Sequence, residues 1–227
     1  IAGYYRSKFD VKVVGVTGSV GKTTTKDMIA LVVAQKYKTL KTQGNHNNEI
    51  GMPQTLFGLD SSYEAAVIEM GMSHQGEISR MSMSCQPDVA VITNIGISHI
   101  ENLGTQENIL KAKLEILDGA AYDAPLILCR DDKLLAGVQL HSDRKVYYYS
   151  VSKKDCDVYA SGVKTVDNSI TFTINYEGGK IAAQINCLGE HNVKNALAAF
   201  CVGLALDIPP EDIVKGIAQF KPEGLRQ

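Results

Sequence analysis

The residues with the most chemistry in them lie together in Thr17-Gly18-Ser19-Val20-Gly21-Lys22-Thr23-Thr24. Backbone N–H groups in a glycine-punctuated turn and at the start of a helix carry positive partial charge and hold anions. Lys22 would add a point charge at the β- and γ-phosphates of a nucleotide, and the Thr23 hydroxyl would be a magnesium ligand. The strict phosphate-loop pattern, G-x-x-x-x-G-K-T, requires glycine where this chain has Val16, and Gly15 stands one residue too early. Context still supports a nucleotide-phosphate site. The apolar, β-branched run 11–16 leads into the glycines as a buried strand, and a helix opens at Lys22.

Four further groups can do chemistry. Glu69 ends the apolar run 65–68, where a carboxylate facing a phosphate loop would anchor magnesium; the alternative is a solvated strand-end acid. His99, after Thr93-Asn94, is either a metal ligand or an ordinary loop histidine. At the helical period, Ile109, Leu110, Leu114, Ile116 and Leu117 share an apolar face with Lys113 near its centre, while Lys111 faces outward beside Glu115 as a surface i,i+4 pair. Lys113 either snorkels or is a desolvated amine of lowered pKa, able to take up carbon dioxide as a carbamate. Asn192 and Asn195 fall on one helix face, and a carboxamide matches the N6/N7 edge of adenine. Their other reading is an N-cap with a solvated neighbour.

Positioning these groups calls for a parallel sheet. Strands are predicted near 11–16, 37–41, 65–70, 89–93 and 126–129, alternating with helices at 22–36, from Met52, at 77–84 and at 105–118. Such alternation implies right-handed crossovers, with ligands gathered beyond the carboxyl ends of the strands. Beyond Tyr149 the pattern changes. Runs 158–166, 169–176 and 180–187 read as a small antiparallel meander, about 156–188, whose last two strands join at Glu177-Gly178-Gly179. Helices at 191–205 and 211–220 follow. The expected fold class is α/β: a mostly parallel sheet flanked by helices, with a phosphate loop and that meander. Residues 1–10 read as a leading segment with Tyr4, Tyr5 and Phe9 available to pack.

A net charge of −2 over 227 residues gives no basic field for nucleic acid. The five cysteines show no C-x-x-C or zinc spacing, and four lie in apolar runs, as buried thiols of a reducing compartment do. No apolar run is long enough to span a bilayer, and no secretory signal is visible. The chain starts at Ile1 and stops at Gln227 just after a helix, which suggests a piece of a longer protein.

In their order along the chain, these motifs resemble the central ATP-binding domain of the Mur ligases, the ADP-forming amide ligases of peptidoglycan synthesis. The resemblance rests on the loop running from Thr17 to Lys26, on Gly44-Asn45-His46-Asn47-Asn48-Glu49-Ile50-Gly51-Met52-Pro53, and on Glu69-Met70-Gly71-Met72 with Gly76-Glu77-Ile78. It extends to Asn94-Ile95-Gly96 with His99, to Lys111-Ala112-Lys113, and to Gly189-Glu190-His191-Asn192 with Asn195-Ala196-Leu197. Within the family the chain is most similar to the type that joins D-alanyl-D-alanine to a UDP-N-acetylmuramoyl tripeptide through an acyl phosphate.

The resemblance implies ATP and magnesium as cofactors, with Thr17, Gly18, Ser19, Gly21, Lys22, Thr23 and Thr24 at the phosphates. It implies a first magnesium at Thr23 and Glu69, and a second at His99 and carbamylated Lys113. Lys22, Glu69, His99 and Lys113 are then the catalytic set, Asn192 and Asn195 face adenine, and Asn45, Asn47 and Asn48 face substrate. Arg226 matches the family's late Gly-Arg only with Leu225 interposed after Gly224. The partners implied are UDP-muramoyl peptide and D-alanyl-D-alanine, handled by a cytoplasmic monomer without nucleic acid or membrane insertion. Residues 11–227 would be the central domain, residues 1–10 the lead from an N-terminal domain, and the C-terminal domain would lie outside this chain. Folylpolyglutamate synthase and cyanophycin synthetase are the rival family members, and the Asn-rich loop argues against both. A nucleotide-hydrolysing switch is the rival of another class, but its D-x-x-G and N-K-x-D strings are absent.

Overall fold

The structure, a computed structural model, describes residues 1–140 and 143–222. Helix α1 (Ala2–Arg6) precedes strand β1 (Lys12–Thr17), which leads into α2 (Lys22–Val33) and β2 (Thr39–Lys41). Then come α3 (Gly51–Phe57), β3 (Ala65–Glu69), α4 (Glu77–Cys85) and β4 (Val89–Ile92). Short helix α5 (Ile100–Leu103) precedes α6 (Gln106–Leu114), which ends in a 3₁₀ turn at Glu115–Leu117; β5 (Leu126–Cys129), α7 (Lys133–Ala136) and β6 (Val146–Ser150) follow. The last elements are β7 (Val158–Val166), β8 (Ser169–Tyr176), β9 (Gly179–Ile185), α8 (Glu190–Ala205) and α9 (Pro210–Ala218).

Among the described residues nine strands join one sheet, ordered β2-β3-β1-β4-β5-β6-β7-β8-β9. Pairing is parallel from β2 to β7 and antiparallel for β7–β8 and β8–β9. The central strands are β-branched and apolar because both of their faces are covered: Val13, Val14 and Val16 have no exposed surface, nor have Val67 and Ile68. Helix α8 is buried along most of its length and packs on α2 and on β4 to β7, which is why it is apolar nearly all round.

The mostly parallel α/β sheet and the meander agree with the expectation. Strand β6 pairs in parallel with both β5 and β7 and carries the sheet straight into the meander. The sequence reading lacks β6 because only Tyr149 and Ser150 of its five residues are buried, so Tyr147 and Tyr148 show neither a buried run nor a clean alternation. Helices α5 and α7 are also absent from it; four residues are too few for a helical period. Residues 2–6 form a helix that packs on α3 and α4. Tyr5 packs edge-to-face against Phe9 at 5.2 Å and Phe57 at 5.6 Å, whereas Tyr4 is exposed and does not pack as expected. Cys85, Cys129, Cys187 and Cys201 are buried free thiols. Among the described residues no helix is long and apolar enough to cross a membrane.

Candidate functional site

Parallel register brings the chemistry together. Val16 lies opposite Glu69 and Thr17 opposite Ile92, so the β3 carboxylate and the Thr93-Asn94 pair flank the loop that leaves β1. Asn94 braces this loop. Its Oδ1 accepts from Ser19 N at 3.2 Å and Val20 N at 2.9 Å, and its Nδ2 donates to Val20 O at 2.9 Å. Thr93 Oγ1 donates to the same carbonyl at 2.8 Å, and Gly96 N donates to Ser19 Oγ at 2.8 Å. Gly18 makes room for Thr93, since a Cβ there would fall 1.9 Å from Thr93 Oγ1. Gly21 caps α2 in the left-handed conformation, φ 79°. Among the described residues the N–H groups of Gly21, Lys22, Thr23 and Thr24 have no acceptor. Four free donors at a helix N-terminus form an anion site.

Lys22 folds back on this loop, donating to Gly18 O at 3.0 Å and lying 3.5 Å from Ser19 O. Burial lowers its pKa, and the nearby Glu69 charge partly restores it. Glu69 is 1% exposed, which overturns the reading of a solvated strand-end acid. Its Oε1 accepts from Thr23 Oγ1 at 3.3 Å and from Asn47 Nδ2 at 2.7 Å; its Oε2 is buried without a partner among the described residues. A buried acceptor-only oxygen beside a threonine hydroxyl fits a hard cation. Among the described residues no three His, Cys, Asp or Glu side chains cluster, so magnesium would be held by Glu69 and Thr23 together with phosphate oxygens and water, its usual habit.

Lys113 lies 2% exposed, so it does not snorkel. Burial, with the positive charge of Lys22 nearby, brings its pKa down to about 7. Lys111 is exposed as expected, but Glu115 does not pair with it. The Glu115 carboxylate instead accepts from Gly76 N at 2.8 and 2.9 Å and from Ser79 N at 3.3 Å, at the start of α4. The i,i+4 expectation fails because helical projection ignores a neighbouring helix end.

Beside the loop, α8 and the ends of β4 to β6 enclose a cavity of about 650 Å³. Asn195 lines it, and Asn192 stands behind. Thr25 Oγ1 donates to Asn195 Oδ1 at 3.0 Å, Asn195 Nδ2 to Asn192 Oδ1 at 3.2 Å, and Asn192 Nδ2 to Leu188 O at 2.7 Å. Neither asparagine caps α8, whose N-cap is Gly189, and both are buried. On the far wall, burial acts to raise the Asp131 pKa, but hydrogen bonds from Ser150, Ser152 and Val151 N, with Lys194 nearby, hold it below the usual carboxylate range. A larger, more open cleft of about 970 Å³ lies around Arg130, Tyr159 and Tyr176, away from the strand ends where the reactive groups meet.

His99 is exposed at the N-cap of α5 with φ 64°, and no hydrogen bond ties it to Glu69 or Lys113. Asn45 is exposed, and Asn48 Oδ1 caps the turn into α3 by accepting from Ile50 N and Gly51 N at 3.0 and 2.8 Å. Asn47 is turned inward to Glu69. Arg226 lies outside the described residues. The structural roles of Asn94 and Thr93 went unread in the sequence. A polar Thr-Asn pair ending a strand is its only local signal, and the role depends on β4 being the neighbour of β1.

The model of the Mur ligase middle domain matches residues 16–203. The UDP-N-acetylmuramoyl-tripeptide–D-alanyl-D-alanine ligase of Bacillus subtilis is 42% identical over 100% of this chain and 48% of its own length. The crystal structure of MurF from Acinetobacter baumannii superposes with a TM-score of 0.92 at 35% identity, over 98% of this chain and 49% of that one. MurF ligase from Thermotoga maritima, in complex with ADP, gives 0.88 at 28% identity over 98% and 51%. The chain thus spans about half the length of the curated relatives it matches. With most of its length matched by that domain model, and with these relatives along the whole of it, the chain belongs to the Mur ligase family.

Proposed function

We propose that this chain is the ATP-binding domain of an ADP-forming amide ligase of peptidoglycan precursor synthesis, joining D-alanyl-D-alanine to a UDP-N-acetylmuramoyl tripeptide. The observation that carries this reading is the open N-terminus of α2, its donors unpaired among the described residues, beside a buried Glu69 with one oxygen likewise without a partner. The likeness to ligases of that name over the whole chain supports the substrate class. Residues 11–227 are then the central domain, with the UDP-binding and amine-binding domains beyond this chain, and the protein works as a cytoplasmic monomer.

The residues divide the work between positioning and electrostatics. Free N–H groups from Gly21 to Thr24 bind the phosphates, and Lys22 leaves the Gly18 carbonyl to neutralise the γ-phosphoryl group as it passes to the substrate carboxylate. Asn195, held by Thr25 and Asn192, orients adenine in the adjoining cavity. Glu69 and Thr23 hold magnesium, which when bound screens charge between the phosphates. Lys113, its pKa brought down to about 7 so that a large share is uncharged near neutrality, takes up carbon dioxide, forming an N–C bond and releasing a proton, to become a carbamate. His99, the exposed N-cap of α5, would join that carbamate at the second magnesium. ATP turnover by the full-length ligase, with and without its two substrates, tests the reading. Turnover requiring both substrates is expected; substrate-independent hydrolysis favours a nucleotide switch instead.

A further inference from the structure

The two oxygens of Glu69 are unequal, and Asn47 is the nearer of the two neighbours that make them so. Asn47 Nδ2 sits 2.7 Å from Oε1, while Thr23 Oγ1 is a longer 3.3 Å away and Oε2 has no partner among the described residues. Beside a carboxylate only the NH₂ end of the Asn47 amide is compatible, so its orientation follows from chemistry. The last torsion of a glutamate is broad and roughly two-fold, so nothing intrinsic fixes the roll of the carboxylate.

The backbone beneath it is fixed independently. Glu69 N donates to Thr42 Oγ1 at 3.0 Å, and the Thr42 carbonyl accepts from buried Lys26 Nζ at 2.9 Å, which ties the end of β3 to α2. Asn47 is itself fastened: its carbonyl accepts from Gly71 N at 2.6 Å, two residues past Glu69, and its N–H donates to Asn45 O at 2.7 Å. Thr42 thus sets where Glu69 stands, and its roll is left to Asn47, with the longer Thr23 contact on the same oxygen.

We propose that Asn47 is a positioning residue: by engaging Oε1 it presents Oε2 of Glu69 to magnesium, and it touches neither metal nor substrate itself. This departs from the substrate-facing role implied by the family resemblance, and it rests on the reading of Glu69 as a magnesium ligand. Outer partners of metal ligands commonly carry 10- to 100-fold of metal affinity.

The test measures ATP affinity of the 227-residue chain in excess magnesium and in EDTA, for wild type, Asn47→Ala and Glu69→Gln. The ratio of the two affinities reports the metal's contribution. Asn47→Ala should cut that ratio about tenfold, leave the EDTA affinity within about twofold, and leave the thermal midpoint unchanged. Glu69→Gln should cut the ratio at least as far. An unchanged ratio in Asn47→Ala, with Glu69→Gln impaired, overturns the positioning role alone. Equal loss in magnesium and EDTA also overturns it, since Asn47 would then serve the loop or the nucleotide. An unchanged ratio in Glu69→Gln removes the magnesium reading and this inference with it.

Discussion

Helices α2 and α4 begin in the same way and end up doing opposite things. Each follows a parallel strand at the carboxyl edge of the sheet, and each is capped by a left-handed glycine, Gly21 at φ 79° and Gly76 at φ 84°, without a side-chain cap from that residue. At α4 the Glu115 carboxylate takes the N–H groups of Gly76 and Ser79, and Glu77 takes that of Ser73 at 2.7 Å. At α2 the donors stay free among the described residues: Glu69 lies beside them but takes the Thr23 hydroxyl rather than a helix N–H, and Lys22 folds back over the loop. One N-terminus carries a resident anion, while the other is arranged for a visiting one. A strand–glycine–helix unit therefore says only that an anion is wanted. Whether the fold itself supplies that anion separates a structural helix end from a binding site.

The open end should give the largest effect. Lys22→Ala should lower ATP affinity at least about 100-fold, the scale of losing a charged partner to phosphate. Stability should change little, because Lys22 bonds only to its own loop carbonyls at the cleft. Titration calorimetry with ATP, beside thermal unfolding, separates the two. Wild-type affinity in the variant breaks the comparison at its open end.

Lys113 sharpens the comparison through pH. Its folded pKa is near 7, against the ordinary 10.5 expected when unfolded. Between those values the folded chain holds fewer protons than the unfolded one, so Lys113 makes stability rise with pH, at up to about 1.4 kcal/mol per unit. That contribution is lost as pH falls through the window and is fully lost below about 7. Lys113→Met should thus be more stable than wild type at pH 6, and the advantage should shrink toward pH 10. Urea unfolding in carbon dioxide-free buffer measures it. Parallel pH profiles for the two proteins would sink the idea of a discharged amine beside the open end.

How much of this could be read beforehand depends on what each residue needs for its role. The phosphate loop was legible because strand, glycines, lysine and helix are consecutive. Lys113 was legible too, since a lysine on an apolar face is anomalous in one helix alone. Glu115 was misread for the converse reason: its partners, Gly76 and Ser79, lie some 40 residues away and belong to another helix. Asn94, Thr42 and Asn47 act only across the β4–β1 and β2–β3 neighbourhoods, and strand order is not a local property of sequence. Strand β6 escaped because its half-exposed tyrosines match neither a buried strand nor an alternating one.

The closed end should give the smallest effects, and they bear most directly on what the two ends share. Glu115→Ala removes the anion from α4 and should destabilise the chain by about 1–3 kcal/mol, the range of a lost charged cap, while leaving ATP affinity within about twofold. Glu115→Gln keeps an acceptor without the charge and should fall between. The emptied α4 terminus of Glu115→Ala would then resemble that of α2, so sulfate should stabilise this variant more than wild type, which offers sulfate only α2. Lys111→Ala, which removes a cation with no ion pair to Glu115, should stay within about 0.5 kcal/mol. Chemical denaturation of the four proteins in chloride and in matched sulfate checks all of this. If Lys111→Ala costs as much as Glu115→Ala, and sulfate favours neither variant, then Glu115 is half of a surface pair after all and α4 has no resident anion to set against the open donors of α2.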